Sequence, residues 1–444
     1  MGFQQGLSGL NAASKSLDVI GNNIANASTV GFKQGQTQFA DVYANSLNGS
    51  SAGTVGIGTK VSGVVQQFTQ GNISTTNNPL DIAINGGGFF RMSTNGAITY
   101  TRNGQFQLDK LGNIVNAQGA QLTGYVANAA GVLSTGAAAP ININTSDIAP
   151  AQSTLINAVM NLDSRKLVPG TQLPATIPPV ITPIAFSATD PTTYNSSTSI
   201  AVFDSLGNSH VVQSFFVKRD NILTPPTLPV TIEWDVFATV DGVLIAGAGA
   251  TANSITRLGF DNLGKLSSVT PQFSATDPRA TTLTVPVSTG AVTPINTALD
   301  IKYDFTGTTQ FGSDFSVSKN TQDGYASGKL AKFNTAKDGT IVGSYTNGKT
   351  AVLAQVVLAN FTNPNGLQST GDNQWIETAT SGNALVGPPN SGALGTLTSS
   401  ATEDSNTDLT GELVNMITAQ RVYQANAQTI KTQDQVLQTL VNLR

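Results

Sequence analysis

The chain has 444 residues, more than one compact core of ordinary size accommodates, so two or three domains are expected. Only 11% of the residues are charged and the formal net charge is -4, which excludes the basic surface that a phosphate backbone requires and leaves no nucleic-acid partner to expect. Cysteine is absent, and with it disulfides, thiolate metal sites and cysteine nucleophiles.

The N-terminus, Met1-Gly2-Phe3-Gln4-Gln5-Gly6, has no basic start and no continuous apolar stretch. It is not read as a cleaved secretion signal, and Gly6 stands where a myristoylation motif needs Ser or Thr. From Phe3 to Ala27, apolar or small residues recur at Phe3, Leu10, Ala13, Leu17, Ile20, Ile24 and Ala27. This three-four spacing predicts one stripe along a helix. A Gly/Ser-rich stretch over about 47–62 follows, expected to be extended or flexible.

The middle of the chain reads as strands joined by turns. Asn95-Gly96 and Asn103-Gly104 bracket a strand-like run, and Asn-Gly is a strong hairpin signal because both residues tolerate positive φ. A pentapeptide then recurs as Asp109-Lys-Leu-Gly-Asn113, Asp204-Ser-Leu-Gly-Asn208 and Asp261-Asn-Leu-Gly-Lys265. Each predicts a hairpin loop in which Asp accepts backbone N–H groups and Gly takes the left-handed conformation. The alternating carboxylates and terminal Glu of a calcium loop are missing. Prolines at 169, 174, 178, 179 and 183, and at 225, 226 and 229, are expected in linkers or edge strands of a separate central domain.

A second Gly/Ser-rich stretch, 381–400, leads to the last helix, for which Ser405 ahead of Asp408 is the expected cap. Its stripe reads Leu409, Leu413, Met416, Tyr423, Ala427, Ile430, Leu437 and Val441, broadened by Ile417 and Leu440 and interrupted by Gln420 and Asp434. At 1.5 Å per residue the two terminal helices would be about 37 Å and 54 Å long. Such lengths exceed what a compact domain needs from its termini, and the broad C-terminal stripe leaves apolar surface for neighbouring copies. A lone helix pair rich in Asn and Gln is marginal, so these ends are expected to order on assembly.

Enzyme chemistry finds little support. The one histidine, His210, lies in a strand-like run with no nucleophile motif nearby. Gly86-Gly87-Gly88 lacks the rest of a phosphate-binding loop and reads as a hairpin or a close backbone approach. No catalytic residue, cofactor or metal is expected. A carboxylate pair for glycoside hydrolysis would meet only in the fold, so a glycan-active enzyme stays open beside an axial polymer and an extracellular adhesin.

Four motifs then carry a family signature. Leu17-Asp-Val-Ile-Gly-Asn-Asn-Ile-Ala-Asn26 with Thr29-Val-Gly-Phe-Lys33, and Asn415-Met-Ile-Thr-Ala-Gln-Arg-Val-Tyr-Gln-Ala-Asn426, resemble the two ends of bacterial flagellar rod and hook axial proteins. Asn78 to Phe90 and Tyr100 to Phe106 resemble the start of their shared β domain. A large insert with Phe203-Asp-Ser-Leu-Gly-Asn208 is similar to the hook members, rod members being much shorter. Thr407 departs from the pattern, which usually has an apolar residue there.

What the resemblance implies is a mainly β fold with α-helical termini in nested layers. Residues 1–28 with 403–444 would form a helical core domain paired as a coiled coil, and 29–71 a linker. An inner β domain would take 72–148 with 321–402, and an inserted outer β domain 149–320. The implied function is a structural subunit polymerising into a curved, flexible tube, a universal joint carrying torque from rod to filament. A distal-rod-like axial protein is the family alternative. Implied partners are further copies, rod, hook-cap and hook–filament junction proteins, and the type III export apparatus. The implied location is the extracellular flagellum, reached without a cleaved signal. The implied seam residues are Leu10, Leu17, Ile20, Ile24, Leu413, Met416, Tyr423, Ile430, Leu437 and Val441. The family-motif residues are Asn22, Asn23, Asn26, Gly31, Phe32, Asn415, Gln420, Tyr423 and Asn426.

Overall fold

The computed structural model describes residues 2–42, 56–128, 131–144, 146–170, 184–219, 232–245, 253–270, 280–285 and 299–442. The 47–55 part of the first Gly/Ser stretch lies outside them, as do all the named prolines except Pro169. The described chain is mainly β, with one helix at each end: α1, Gly2–Ala25, and α2, Leu409–Asn442. Two compact units are distinguished. The first takes Met1–Thr145, Leu330–Ser344 and Thr350–Arg444; the second takes Ser146–Lys329 and Tyr345–Lys349.

In the first unit, strands before and after the long insertion share one sheet. Thr350–Val356 pairs antiparallel with Gln121–Val126, which pairs with Phe89–Thr94. Along these strands alternate residues point inward, so Ile82, Phe90, Met92, Leu122, Val356 and Leu358 close one core. Phe89, Tyr100, Phe361 and Trp375 form an aromatic cluster beside it, with ring centroids 4.8–5.9 Å apart in edge-on pairs. The 381–400 stretch, for which extended or flexible chain is expected, carries the short strands Leu385–Gly387 and Thr396–Ser399. Thr396–Ser399 pairs with Ile82–Asn85, and Gly86 gives the backbone of Gly395 room to approach, with φ +113°. The Gly86-Gly87-Gly88 run is thus a close-approach site.

The region read as linker holds a further hairpin in its described part. β1, Gly35–Val42, pairs with β2, Gly58–Gln66. Its small and polar residues gave no clean alternation, and α1 supplies the partner surface that stabilises it.

The second unit is a two-sheet sandwich. One sheet is an antiparallel meander through Ser196–Phe203, Ser209–Lys218, Ile232–Val240, Thr256–Phe260 and Leu266–Thr270. The other orders Ala280–Val285, Leu299–Asp304, Leu155–Asn161 and Ser316–Gln322. Ile156, Met160, Val212, Phe216, Trp234 and Phe305 meet between them. The unit's chain entry and exit run side by side, with Ile156 opposite Gln322 and Ile148 N–H donating to Gly328 O at 2.9 Å.

All three pentapeptides form hairpin loops. Asp109 Oδ1 accepts from the N–H groups of Leu111 and Asn113 at 2.7 and 2.8 Å. Asp204 and Asp261 repeat the pattern, and Gly112, Gly207 and Gly264 have φ of +85°, +85° and +74°. Asn95-Gly96 turns a hairpin, whereas Asn103-Gly104 does not: Gly104 O accepts from Ile82 N–H, and the glycine is required because a Cβ would collide with Ile82 O.

Candidate functional site: the paired chain ends and their charged anchor

The two helices lie antiparallel, with Gly2 against Gln433, Gly6 against Ile430 and Gly9 against Asn426. A Cβ on Gly9 would stand 2.6 Å from the Asn426 Oδ1, so glycine here sets how closely the backbones approach. The buried face of α1 is Gly6, Ala12, Ala13, Ile20 and Asn23. Of the stripe read from sequence, Ala13 and Ile20 are buried, Leu10, Leu17, Ile24 and Ala27 half-buried, and Phe3 exposed. Gly6 and Gly9, which a count of apolar residues passes over, lie against the partner helix.

On α2, Met416 and Ile430 are half-buried, but Leu413, Val414, Ile417, Val422, Tyr423, Leu437 and Val441 are exposed. Apolar side chains therefore stay exposed over 413–423 and again over 436–441 of the helix. No helix is long and apolar enough to cross a membrane among the described residues. A cavity of about 750 Å³ opens between α1, the β1–β2 hairpin and α2, lined by Ala13, Ile20, Phe39, Asn415, Val422 and Asn426 among others.

The motif asparagines do different work. Asn22 and Asn26 are bonded to each other at the end of α1, and the Asn26 Oδ1 accepts from the Thr29 hydroxyl. Asn23 is buried: its amide both donates to Gly35 O and accepts from Gly35 N–H, and lies 3.4 Å from Glu412 Oε2. Asn415 and Gln420 are exposed, while the Asn426 amide donates back to Val422 O. At the start of α2 the cap is Asp408, whose Oδ1 accepts from Thr410 N–H; Ser405 instead accepts from Thr407 N–H. The Thr407 hydroxyl is buried without a hydrogen-bond partner among the described residues.

Sequence reasoning missed the anchor beneath the helices. Lys33, Arg102 and Glu403 are buried together, with Lys33 Nζ 2.5 Å from Glu403 Oε1 and Arg102 Nη1 3.1 Å from Glu403 Oε2. Lys33 also donates to Thr69 O, and Arg102 to Gly86 O. Burial lowers the pKa of both cations from their ordinary values, and the Glu403 carboxylate works against that shift. Gly31 crosses directly over the backbone of Arg102 and Asn103 with φ +72°, and its N–H donates to Glu403 O. Phe32 is buried beside it. Only the family motif around Gly31 and Lys33 hinted at this site, since the three charges are 370 and 301 positions apart in pairs.

His210 lies in its strand with Nδ1 2.8 Å from Asp241 Oδ2, an ordinary part-buried pairing at a hairpin end. Among the described residues no three His, Cys, Asp or Glu side chains gather as metal ligands.

The comparisons bear on the same ends and the same insert. Residues 3–33 match the family described as flagella basal body rod protein, and 398–443 the flagellar basal body rod FlgEFG protein C-terminal family. Residues 83–159 match the flagellar hook protein FlgE/F/G D1 domain, and 161–325 the flagellar basal body protein FlaE D2 domain. Over the full length of both chains, identity is 44% to the flagellar hook protein FlgE of Salmonella typhimurium and 42% to that of Escherichia coli. The hook protein of Borreliella burgdorferi is 32% identical over 99% of this chain and 98% of its own. A solved Helicobacter pylori flagellar hook protein shares the fold at TM-score 0.52 and 14% identity, covering 73% of this chain and 98% of that one.

Proposed function

From the premise that this chain belongs to the flagellar hook protein family, we propose that it is the hook's structural subunit, polymerising into a curved, flexible tube that joins rod to filament. The observation that carries this reading is the set of apolar side chains, Leu413, Ile417, Val422, Leu437 and Val441, left exposed on a helix already paired with α1. Apolar surface of that extent on one helix finds lasting cover in further copies of the chain stacked around a common axis. The seam so formed would also take in Leu10, Leu17, Ile24, Met416, Tyr423 and Ile430.

Bending requires subunits to slide without separating. With 11% charged residues, the surface offers small polar groups that exchange partners freely where ion pairs would hold one geometry. The reading also takes in rod, cap and hook–filament junction proteins as neighbours, and export to the cell exterior by the type III apparatus. Electron microscopy of the purified protein after salting-out tests it: short curved tubes are expected, and a chain that stays single at high concentration refutes it.

A further inference from the structure

The anchor has an asymmetry that follows from chain order. Lys33 and Arg102 belong to the first quarter of the sequence, whereas the single carboxylate that neutralises both, Glu403, lies about forty residues from the end. Among the described residues neither cation has a second acidic partner. The rest of the N-terminal arm leans on the same late segment. Gln34 N–H donates to Asn406 Oδ1, Gln34 Nε2 donates to Glu412 Oε1, and Gly31 N–H donates to Glu403 O.

We propose that Glu403 is a completion latch: the N-terminal arm, residues 29–36, docks onto the β body only once the C-terminal segment supplies this carboxylate. Until then, docking would bury two cations against carbonyl oxygens alone, which is strongly unfavourable in a dry site. A chain made or threaded N-terminus first therefore keeps its first helix undocked until its last helix is present. Only a complete copy then presents the paired ends. The latch rests on the geometry of these ends and stands apart from the hook reading, because it is read on the arm's own amides and not on the shape or function of a polymer.

Amide hydrogen exchange on the full-length chain tests it, under whichever condition, soluble or sedimented, protects wild-type residues 29–36. Glu403→Gln should accelerate exchange of residues 29–36 and 58–66 by about 100-fold or more, the factor that removing one partner from a buried charge group implies. Amides of Phe89–Thr94 and Ile232–Val240 should stay protected. The triple variant Lys33→Met, Arg102→Met, Glu403→Leu, which removes the charges and keeps the bulk, should restore most of the protection. Three results overturn the latch: unchanged exchange in Glu403→Gln, a wild-type arm that is never protected, or a triple variant as open as the single one. Loss of protection spreading to Phe89–Thr94 overturns it too, since the triad would then hold the whole unit and not the arm.

Discussion

Replacing Ile417 and Leu437 with Gln isolates the contribution of the exposed apolar side chains of α2 to assembly. Fully burying an aliphatic side chain stabilises by about 1.5–3 kcal/mol. Ile417 is 52% exposed and Leu437 54%, so about half of that remains available to a neighbouring copy, on the order of 1 kcal/mol at each site. The two positions stand about 30 Å apart along the helix and share no partner, so their effects add. The double variant should raise the critical concentration for polymer by about 30-fold, measured by sedimentation after salting-out. Gln is a good helix former, so the thermal midpoint of the soluble chain should not move. An unchanged critical concentration, or an equal loss of stability in the soluble chain, refutes the reasoning.

Four other perturbations follow. Thr407→Val removes a buried, unpaired hydroxyl and should stabilise the first unit by about 1 kcal/mol in urea unfolding; a loss of stability would mean that the hydroxyl is satisfied. Gly31→Ala forces a left-handed backbone onto a side chain whose Cβ would lie 2.6 Å from Asn103 N, destabilising the arm by about 3 kcal/mol. Gly21→Ala meets no atom within 4 Å and should strengthen α1 by about 0.5–1 kcal/mol, seen by circular dichroism. Acid should destabilise the second unit. Burial raises the Asp204 carboxyl, but bonds from Asn208 and Leu206 outweigh it and hold its pKa below the usual carboxylate value. At Asp241, burial is likewise outweighed, there by bonds from His210 and Val211. Groups depressed in this way stabilise fully above their unfolded value, about pH 4, and lose that contribution as pH falls through the lower folded value. Trp234 fluorescence should report the transition, and Asp204→Asn should make it shallower; a signal independent of acid would contradict the assignment.

The helical ends and the three Asp-x-Leu-Gly hairpins were legible because each rests on local periodicity or on a turn's own chemistry. The glycines of the packed face of α1 were not, since Gly6 and Gly9 matter for what they lack and a count of apolar residues passes over them. The β1–β2 hairpin was hidden for a similar reason: its Gly, Thr, Ser and Gln residues are ordered by α1 and carry little preference of their own. Asn103-Gly104 shows the limit of turn signals, for the same dipeptide that closes a hairpin at Asn95 here makes way for Ile82 O. The triad lay beyond reach altogether, because charges so distant in sequence reveal a partnership only through the fold.

The side-by-side entry and exit of the second unit have a kinetic consequence. With Ile148 bonded to Gly328, that unit, once formed, hands the two flanking segments on as close neighbours. Closing an unstructured loop spanning residues 146–329 would otherwise cost roughly 4–5 kcal/mol of chain entropy. The strands at 121–126 and 350–356 that must find each other can therefore meet as if joined by a short turn, whatever the length of the insert. Growth or shrinkage of that insert between relatives would leave the folding of the remaining sheet nearly unaffected.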